Sequence, residues 1–217
     1  METKSEILNL ILGLSTDVER KSTLQLALEQ ARHLIGYDNV QGINRCCFET
    51  RNTEAIINEM NDFSSEESCL LGALTFYLIA LDCLGCIFVK SKGNDRITKL
   101  LEEFDIDCFK DLSSKKAVQN LRNSLCHNFG LANRSNKYVL CYDNDGNNDV
   151  FGMIPKAEKT DWSDKQIEHQ TVINVFQLCR AFEDTISVII RKYKEGIITS
   201  NIENDELKAR FTILFSH

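Results

Sequence analysis

The chain has 217 residues, a length typical of one domain, and 43% of them are apolar. That apolar fraction, with charges spread along the chain, excludes a disordered or fibrous protein. The formal net charge of −7 excludes broad coating of nucleic acid or anionic membrane, because the mean field repels polyanions. We therefore predict one globular domain over residues 1–217, whose contacts with any polyanion are local.

Cysteine content and the N-terminal sequence indicate where the protein works. The nine cysteines are an odd number and are scattered, which predicts reduced thiols that serve as small core residues. The first residues lack a cationic segment followed by a long apolar one, and we expect no run of the roughly 18 apolar residues that a membrane span needs. We expect a cytoplasmic protein without a membrane segment.

The N-terminal third is predicted to be helical. Pro155 is the only proline, so long segments are free of the residue that interrupts helices. Apolar residues with helical spacing predict one helix from Ile7 to Leu14 and another from Leu24 to Leu34, with Gly36 as a stop. The pattern weakens over 37–64, where only 54–60 predicts one or two helical turns.

The middle of the chain predicts the core helices. A capping sequence at Ser64–Glu67 precedes a helix from Leu70 to Phe88, which is apolar around most of its circumference and belongs at a bundle centre or subunit interface. A short amphipathic helix is predicted from Ile97 to Phe104. A further helix is predicted to start at Ser113 and Ser114 and to continue through Phe129.

The remaining elements are a hairpin, a long helix and an ambiguous tail. Residues 137–142 and 150–154 flank an Asp-Gly turn and predict a β-hairpin inserted between helices. The spacing of apolar residues predicts a last bundle helix from Ser163 to about Tyr193, with Gly196 past its end. Residues 207–215 fit either a short helix or a strand. The predicted fold class is therefore an all-α helical bundle with a small hairpin insertion.

One helix carries a motif that suggests chemistry. Arg122, Asn123 and His127 lie in a segment that has no acidic residue between Asp111 and Asp143. On a helix, Asn123 and His127 face the same way. Arg122 is displaced by about 140° from His127 around the helix axis, but its long side chain can extend to the same side. The same segment holds further cations that are candidates for RNA binding, namely Lys115, Lys116, Arg134 and Lys137. The motif therefore lies in a local basic patch of an acidic protein.

These residue types suit cleavage of a phosphodiester. A guanidinium offers a rigid fork of donors to phosphate oxygens, and an imidazole exchanges a proton near neutral pH. RNA supplies its own nucleophile, the 2′-hydroxyl, so no metal or other cofactor is required. Because one histidine cannot easily serve both sides of the phosphate, a two-fold dimer that brings two motifs to one cleft is expected.

Arg122 and Asn123 followed by His127 in a helical bundle resemble the signature of the HEPN superfamily. The resemblance covers about 66–195, without the hairpin and the ends. It implies a bundle that dimerises around the motif, and in many members a metal-independent endoribonuclease of toxin, phage-defence or RNA-processing systems, some under the control of an antitoxin or regulatory protein. It also implies an acidic or polar residue on an earlier core helix, for which Asp82 is the candidate.

Other interpretations remain open. The spacing alone is not diagnostic, since Arg210 and His217 also fit it, although an apolar residue follows Arg210. The same two residue types also fit a surface arginine and a hydrogen-bonded histidine without a catalytic role. In that interpretation the chain is an inactive adaptor that binds RNA or a protein through the same patch, or a purely structural oligomerisation domain. Neither Cys83 with Cys86 nor the acidic turn at 143–149 has the ligand pattern of a metal site.

Overall fold

Helices make up most of the structure. The computed structural model describes residues 2–15, 20–35, 67–91, 93–104, 109, 111–128, 130–131, 136–141, 151–155 and 169–214. The helices there are α1 (Lys4–Ile11), α2 (Thr23–Leu34), α3 (Glu67–Phe88), α4 (Arg96–Glu103), α5 (Leu112–Asn128), α6 (Val175–Lys194) and α7 (Asn204–Phe211). The strands there are β1 (Arg20–Ser22), β2 (Asn136–Cys141), β3 (Phe151–Pro155), β4 (His169–Asn174) and β5 (Thr212–Leu214). The prediction of a mainly helical protein is confirmed.

The first two helices begin at the same kind of cap. Thr3 and Glu6 form a capping box at α1, and Ser22 and Gln25 form one at α2. In each box the hydroxyl accepts from a backbone N–H of the first turn, and the longer side chain accepts from the backbone of the capping residue. Helix α1 begins and ends three residues before the predicted bounds of Ile7 and Leu14, and α2 begins one residue before the predicted Leu24 and ends at Leu34 as predicted. The proposed stop at Gly36 and the turns at 54–60 lie outside the described residues.

Helix α3 is the centre of the bundle. It contacts α2, α4, α5 and α6, and residues such as Leu74, Leu81 and Leu84 are fully buried. The stretch Cys69–Phe88 has a mean hydropathy of 2.0 and is long and apolar enough to span a membrane, so the expectation that no such run exists was wrong. More than half of that stretch is buried inside the protein. A central bundle helix needs apolar residues on several sides, which accounts for the high hydropathy.

Gly85 lets α4 approach α3 closely. A Cβ built at Gly85 would lie 3.0 Å from the carbonyl oxygen of Arg96 and 3.1 Å from its Cβ. Gly72, also on α3, would place its Cβ 3.0 Å from Cδ1 of Leu34, which is the mobile end of a side chain. The two glycines therefore differ in what an added methyl group would displace.

We expect Gly85→Ala to lower the free energy of unfolding by about 1–3 kcal/mol, because backbone must move to admit the methyl group. Gly72→Ala is the matched control. It should be neutral or stabilising by up to about 1 kcal/mol, since Leu34 can move and alanine favours a helix. Urea denaturation of the two variants measures both effects, and equal changes would contradict the close approach at Arg96.

A buried ion pair joins three helices. The Arg32 guanidinium on α2 donates from Nε to Oε1 of Glu183 at 2.7 Å and from Nη2 to Oε2 at 2.6 Å. The hydroxyl of Tyr77 on α3 donates a hydrogen bond to the same Oε1 at 2.6 Å. The side chains of Arg32 and Glu183 are 1% and 0% exposed. This network ties α2 and α6 to each other and to the central helix.

The two strands predicted to form a hairpin at 137–154 do not pair with each other but both belong to a three-stranded sheet. Strand β4 lies between the other two, parallel to β2 and antiparallel to β3, so that Tyr138 and Met153 are both opposite Thr171. The prediction was wrong because β4 had been assigned to the last helix. Its β-branched run Thr171–Ile173 favours a strand, and pairing on both sides satisfies its backbone. The proposed Asp-Gly turn lies outside the described residues.

The last long helix is therefore shorter than predicted. It begins at Val175, where the side-chain oxygen of Asn174 accepts from the backbone N–H of Gln177 at 3.2 Å. It ends at Lys194, and Gly196 follows with φ +71°, as expected for a glycine after a helix. The start predicted at Ser163 was wrong, since the polar cap at Asn174 separates strand from helix.

Two short strands, one near each end of the chain, pair with each other. Residues 207–215 were predicted as a helix or a strand, and the structure contains both: α7 ends at Phe211 and β5 follows at once. Strand β5 is antiparallel to β1, with Lys21 opposite Ile213. Helix α7 packs on α1. The mainly helical class therefore holds, with two small sheets in place of the single expected hairpin in the part that the structure describes.

Candidate functional site

Arg122 and Asp82 form an ion pair between α5 and α3. Nη2 of Arg122 lies 2.7 Å from Oδ2 of Asp82, and the two side chains are 19% and 20% exposed. Asp82 is the only charged residue between Cys69 and Phe88, and it is the residue on an earlier core helix that was named as the candidate accessory acid. The partial exposure leaves the pair at the surface of the bundle, where a ligand can approach it.

The rotation of α5 about its axis places Arg122 toward α3. Val118, Leu121 and Leu125 are buried, so these three residues mark the inner face of the helix. Gln119 adds a buried polar contact, since its Oε1 accepts from the backbone N–H of Ile97 at 2.9 Å. That bond satisfies a donor at the first turn of α4, whose own capping position makes no side-chain hydrogen bond. Packing and hydrogen bonding together fix the direction of Arg122.

The other motif residues follow along α5. Asn123 accepts from Nη1 of Arg122 through its Oδ1 at 3.3 Å, so its amide helps to orient the guanidinium. The backbone of His127 belongs to the last turn of α5, which places it past Arg122 on the same helix. The side chain of His127 lies outside the described residues.

The three described cations among those proposed for RNA binding differ in exposure. Lys116 is exposed and Lys137 is half-buried. Lys115, however, is only 9% exposed, which corrects the expectation that it contributes to an open patch. Lys115 precedes Val118 by three residues and so shares the buried face of α5. Arg134 lies outside the described residues.

Two thiols near the ion pair are protonated at neutral pH. Burial raises the pKa of Cys126, while the nearby Arg122 guanidinium opposes that shift and Asp82 adds to it. Burial, followed by the charge of Asp82, raises the pKa of Cys83 to about 12. A thiolate is the nucleophilic form of cysteine. The geometry therefore favours packing over nucleophilic catalysis for both residues. The expectation of core thiols holds for Cys179, which is buried, whereas these two are partly exposed.

Asp111 starts the helix that carries the motif. Its Oδ1 accepts from the backbone N–H of Ser114 at 2.8 Å and its Oδ2 from the Ser114 hydroxyl at 2.6 Å. The hydrogen bonds from Ser114, side chain first and then backbone, lower the pKa of Asp111 below its ordinary value of 3.8. Asp111 thus anchors α5 as an N-cap, one residue before the helix begins.

We expect Asp111→Ala to lower the free energy of unfolding by about 1 kcal/mol at pH 6. Because folding lowers the pKa of Asp111, its contribution is present above the unfolded value of 3.8 and is lost as the pH falls through the folded value. The difference from wild type should therefore be smaller at pH 3 than at pH 6 in urea denaturation. Asp111→Asn, a cap that does not titrate, is the control. A loss of unfolding free energy in Asp111→Ala that does not change with pH would contradict the capping role of Asp111.

Within the described residues there is no group of three or more His, Cys, Asp or Glu side chains that could hold a metal ion. The acidic turn at 143–149 lies outside them. Comparison of the chain with protein-family models, curated proteins and solved structures gave no match.

Proposed function

We propose that this protein is a metal-independent endoribonuclease of the HEPN type. The observation that carries the proposal is the contact between the Arg122 guanidinium and the Asp82 carboxylate, 2.7 Å apart on two core helices. In this proposal Asp82 and Asn123 orient the guanidinium, which binds the scissile phosphate and offsets the charge that develops on it. His127, one helical turn beyond Asn123, transfers the proton.

The chemistry follows from the substrate. The 2′-hydroxyl of RNA attacks the adjacent phosphorus, the bond to the 5′-oxygen of the next nucleotide breaks, and a proton moves from the first oxygen to the second. His127 of one subunit accepts the proton from the 2′-hydroxyl, and the second copy delivers one to the leaving oxygen. The products are a 2′,3′-cyclic phosphate and a 5′-hydroxyl.

A homodimer is part of the proposal because it provides the second histidine. Between Cys69 and Phe88, the partly exposed stripe of α3 includes Phe76, Ile79 and Cys86, and its only charge is Asp82. A helix face with so little charge is typical of a subunit interface. Two copies that pack through this stripe would bring their Asp82–Arg122 pairs toward each other.

The biological setting is proposed from the same chemistry. An RNA-cleaving dimer of this kind would act in the cytoplasm, in a toxin, phage-defence or RNA-processing system. An antitoxin or another regulatory protein would cover the cleft when cleavage is not needed. The basic residues near the site, Lys116 and Lys137 among those described, would guide RNA toward Arg122 over the short range that screening allows.

Cleavage of RNA in EDTA tests the proposal. We expect fragments that end in 2′,3′-cyclic phosphate, and no cleavage of a matched RNA that carries a single 2′-deoxy nucleotide at the cleaved linkage. Arg122→Ala should lower the cleavage rate by about 100-fold or more, whereas Arg191→Ala, which removes an exposed charge on α6, should not change it. Equal cleavage of the deoxy substrate would contradict attack by the 2′-hydroxyl.

The ion pair also favours a second candidate, an inactive adaptor. Asp82 neutralises Arg122 in the free protein, as in a purely structural pair that sets the angle between α3 and α5. Such a protein would bind RNA or a partner protein through the same patch without cutting it. RNA binding by the wild type that persists in His127→Ala, with no cleavage by either, would support the adaptor.

A further inference from the structure

A cavity lies where α1, β1 and α7 meet, on elements that take no part in the Arg122 site. Its volume is about 470 Å³, which falls within the range of small-molecule pockets. Ile7, Leu10 and Ala209 provide an apolar lining, and Glu2, Arg20 and Lys208 provide a charged one. An apolar chamber with charges grouped on one side suits an amphiphilic ligand.

The charged side already binds a carboxylate, that of Glu2. Nη1 of Arg20 lies 2.7 Å from Oε1 of Glu2, and Nζ of Lys208 lies 2.7 Å from Oε2. Lys208 first and then Arg20 lower the pKa of Glu2 through these hydrogen bonds. Because all three side chains are about one-third exposed, the ion pairs are weak. Another carboxylate can therefore compete with Glu2 for the two cations.

Glu2 is placed to move without unfolding the protein. Thr3, the next residue, caps α1 and begins the hydrogen-bonded structure there. Glu2 thus precedes the helix, and rotation about its side-chain bonds suffices to withdraw its carboxylate from Arg20 and Lys208. The helix and its capping box stay intact in that movement.

Thr212 is a second indication of a ligand. It lines the cavity, and within the described part of the chain its Oγ1 is buried without a hydrogen-bond partner. Burial of a hydroxyl without a partner is unfavourable. A change of χ1 between staggered wells redirects the hydroxyl, so a polar group that enters the cavity can satisfy it.

We propose that this cavity binds an aliphatic monocarboxylate, with Glu2 as a tethered competitor. The carboxylate head replaces that of Glu2 between Arg20 and Lys208, and the tail lies along Ile7, Leu10 and Ala209. Asp205 also lines the cavity. Among the side chains that line the cavity, two cations and one anion remain when Glu2 is withdrawn, which suits a head group with one negative charge.

Titration calorimetry with decanoate tests the site. Decanoate should bind the wild type, while decanol, which lacks the charge, and acetate, which lacks the tail, should bind at least about tenfold more weakly. Glu2→Gln should tighten decanoate binding by about tenfold, because the tethered competitor is gone. Lys208→Met should weaken it by a similar factor.

Two further variants separate binding from folding. Ala209→Leu fills the apolar side at an exposed position and should abolish decanoate binding, with an unchanged circular dichroism spectrum. Glu206→Gln, on the same helix but outside the lining, should bind decanoate like the wild type. Absence of binding to both the wild type and Glu2→Gln at millimolar decanoate would overturn the proposal. So would unchanged binding in Lys208→Met, or a decyl phosphate dianion that binds more tightly than decanoate.

Discussion

We expect His127→Ala to lower the rate of RNA cleavage by about 10²- to 10⁴-fold, the range that a general acid or base contributes. In the proposed mechanism both oxygens at the phosphorus exchange protons, and each subunit supplies the exchanging group through its own His127. Initial rates with a labelled RNA in EDTA measure the effect. The rate should vary with pH through protonation of the imidazole, since the cleft needs one neutral and one charged ring.

His33→Ala is the matched control for that result. His33 lies on α2 and is exposed, so the substitution removes an imidazole from a helix without touching α5. Its cleavage rate should equal that of the wild type. Loss of activity in both, or in neither, would contradict the assignment of His127.

Glu183→Gln lowers the free energy of unfolding by about 3–5 kcal/mol, the cost of breaking a buried ion pair on one side. The substitution keeps the shape of the side chain but removes the negative charge that accepts two hydrogen bonds from Arg32, in a site that is 1% exposed. Tyr77 also loses the carboxylate that accepts the hydrogen bond from its hydroxyl. Urea denaturation monitored by circular dichroism measures the loss.

The control for this variant is Glu206→Gln. Glu206 pairs with Arg210 on the exposed side of α7, where the two side chains are 46% and 50% exposed. Solvent screening limits such a pair to less than about 1 kcal/mol. If Glu183→Gln were no more destabilising than Glu206→Gln, the network of Arg32, Glu183 and Tyr77 would not hold the three helices together.

The central helices could be predicted from the sequence because their signals are local. The apolar run of α3 has helical length and spacing, and Asp82 stands out in it as the only charge. The contact of Asp82 with Arg122 follows once α3 and α5 pack side by side. Lys115 was misplaced, because its type predicts exposure while its spacing from Val118 places it on the buried face of α5.

The sheets could not be predicted because their pairing depends on distant segments. Residues 169–174 continue the apolar pattern of α6, and only β2 and β3 on either side make them a strand. Strands β1 and β5 have three residues each and lie at opposite ends of the chain, too short for any periodicity. The ion pairs of Arg32 with Glu183 and of Glu2 with Lys208 could not be predicted either, because each joins residues that lie far apart in the sequence.

A mixing experiment tests the composite site most directly. Wild-type and His127→Ala proteins would be mixed in equal amounts, unfolded together and refolded so that mixed dimers form. If one cleft needs His127 from both copies, a mixed dimer keeps only one of the two rings and cleaves slowly, so RNA cleavage in EDTA falls to about a quarter of that of the same total amount of wild type. A fall to only about a half, as expected when each subunit cleaves on its own, would contradict the shared site.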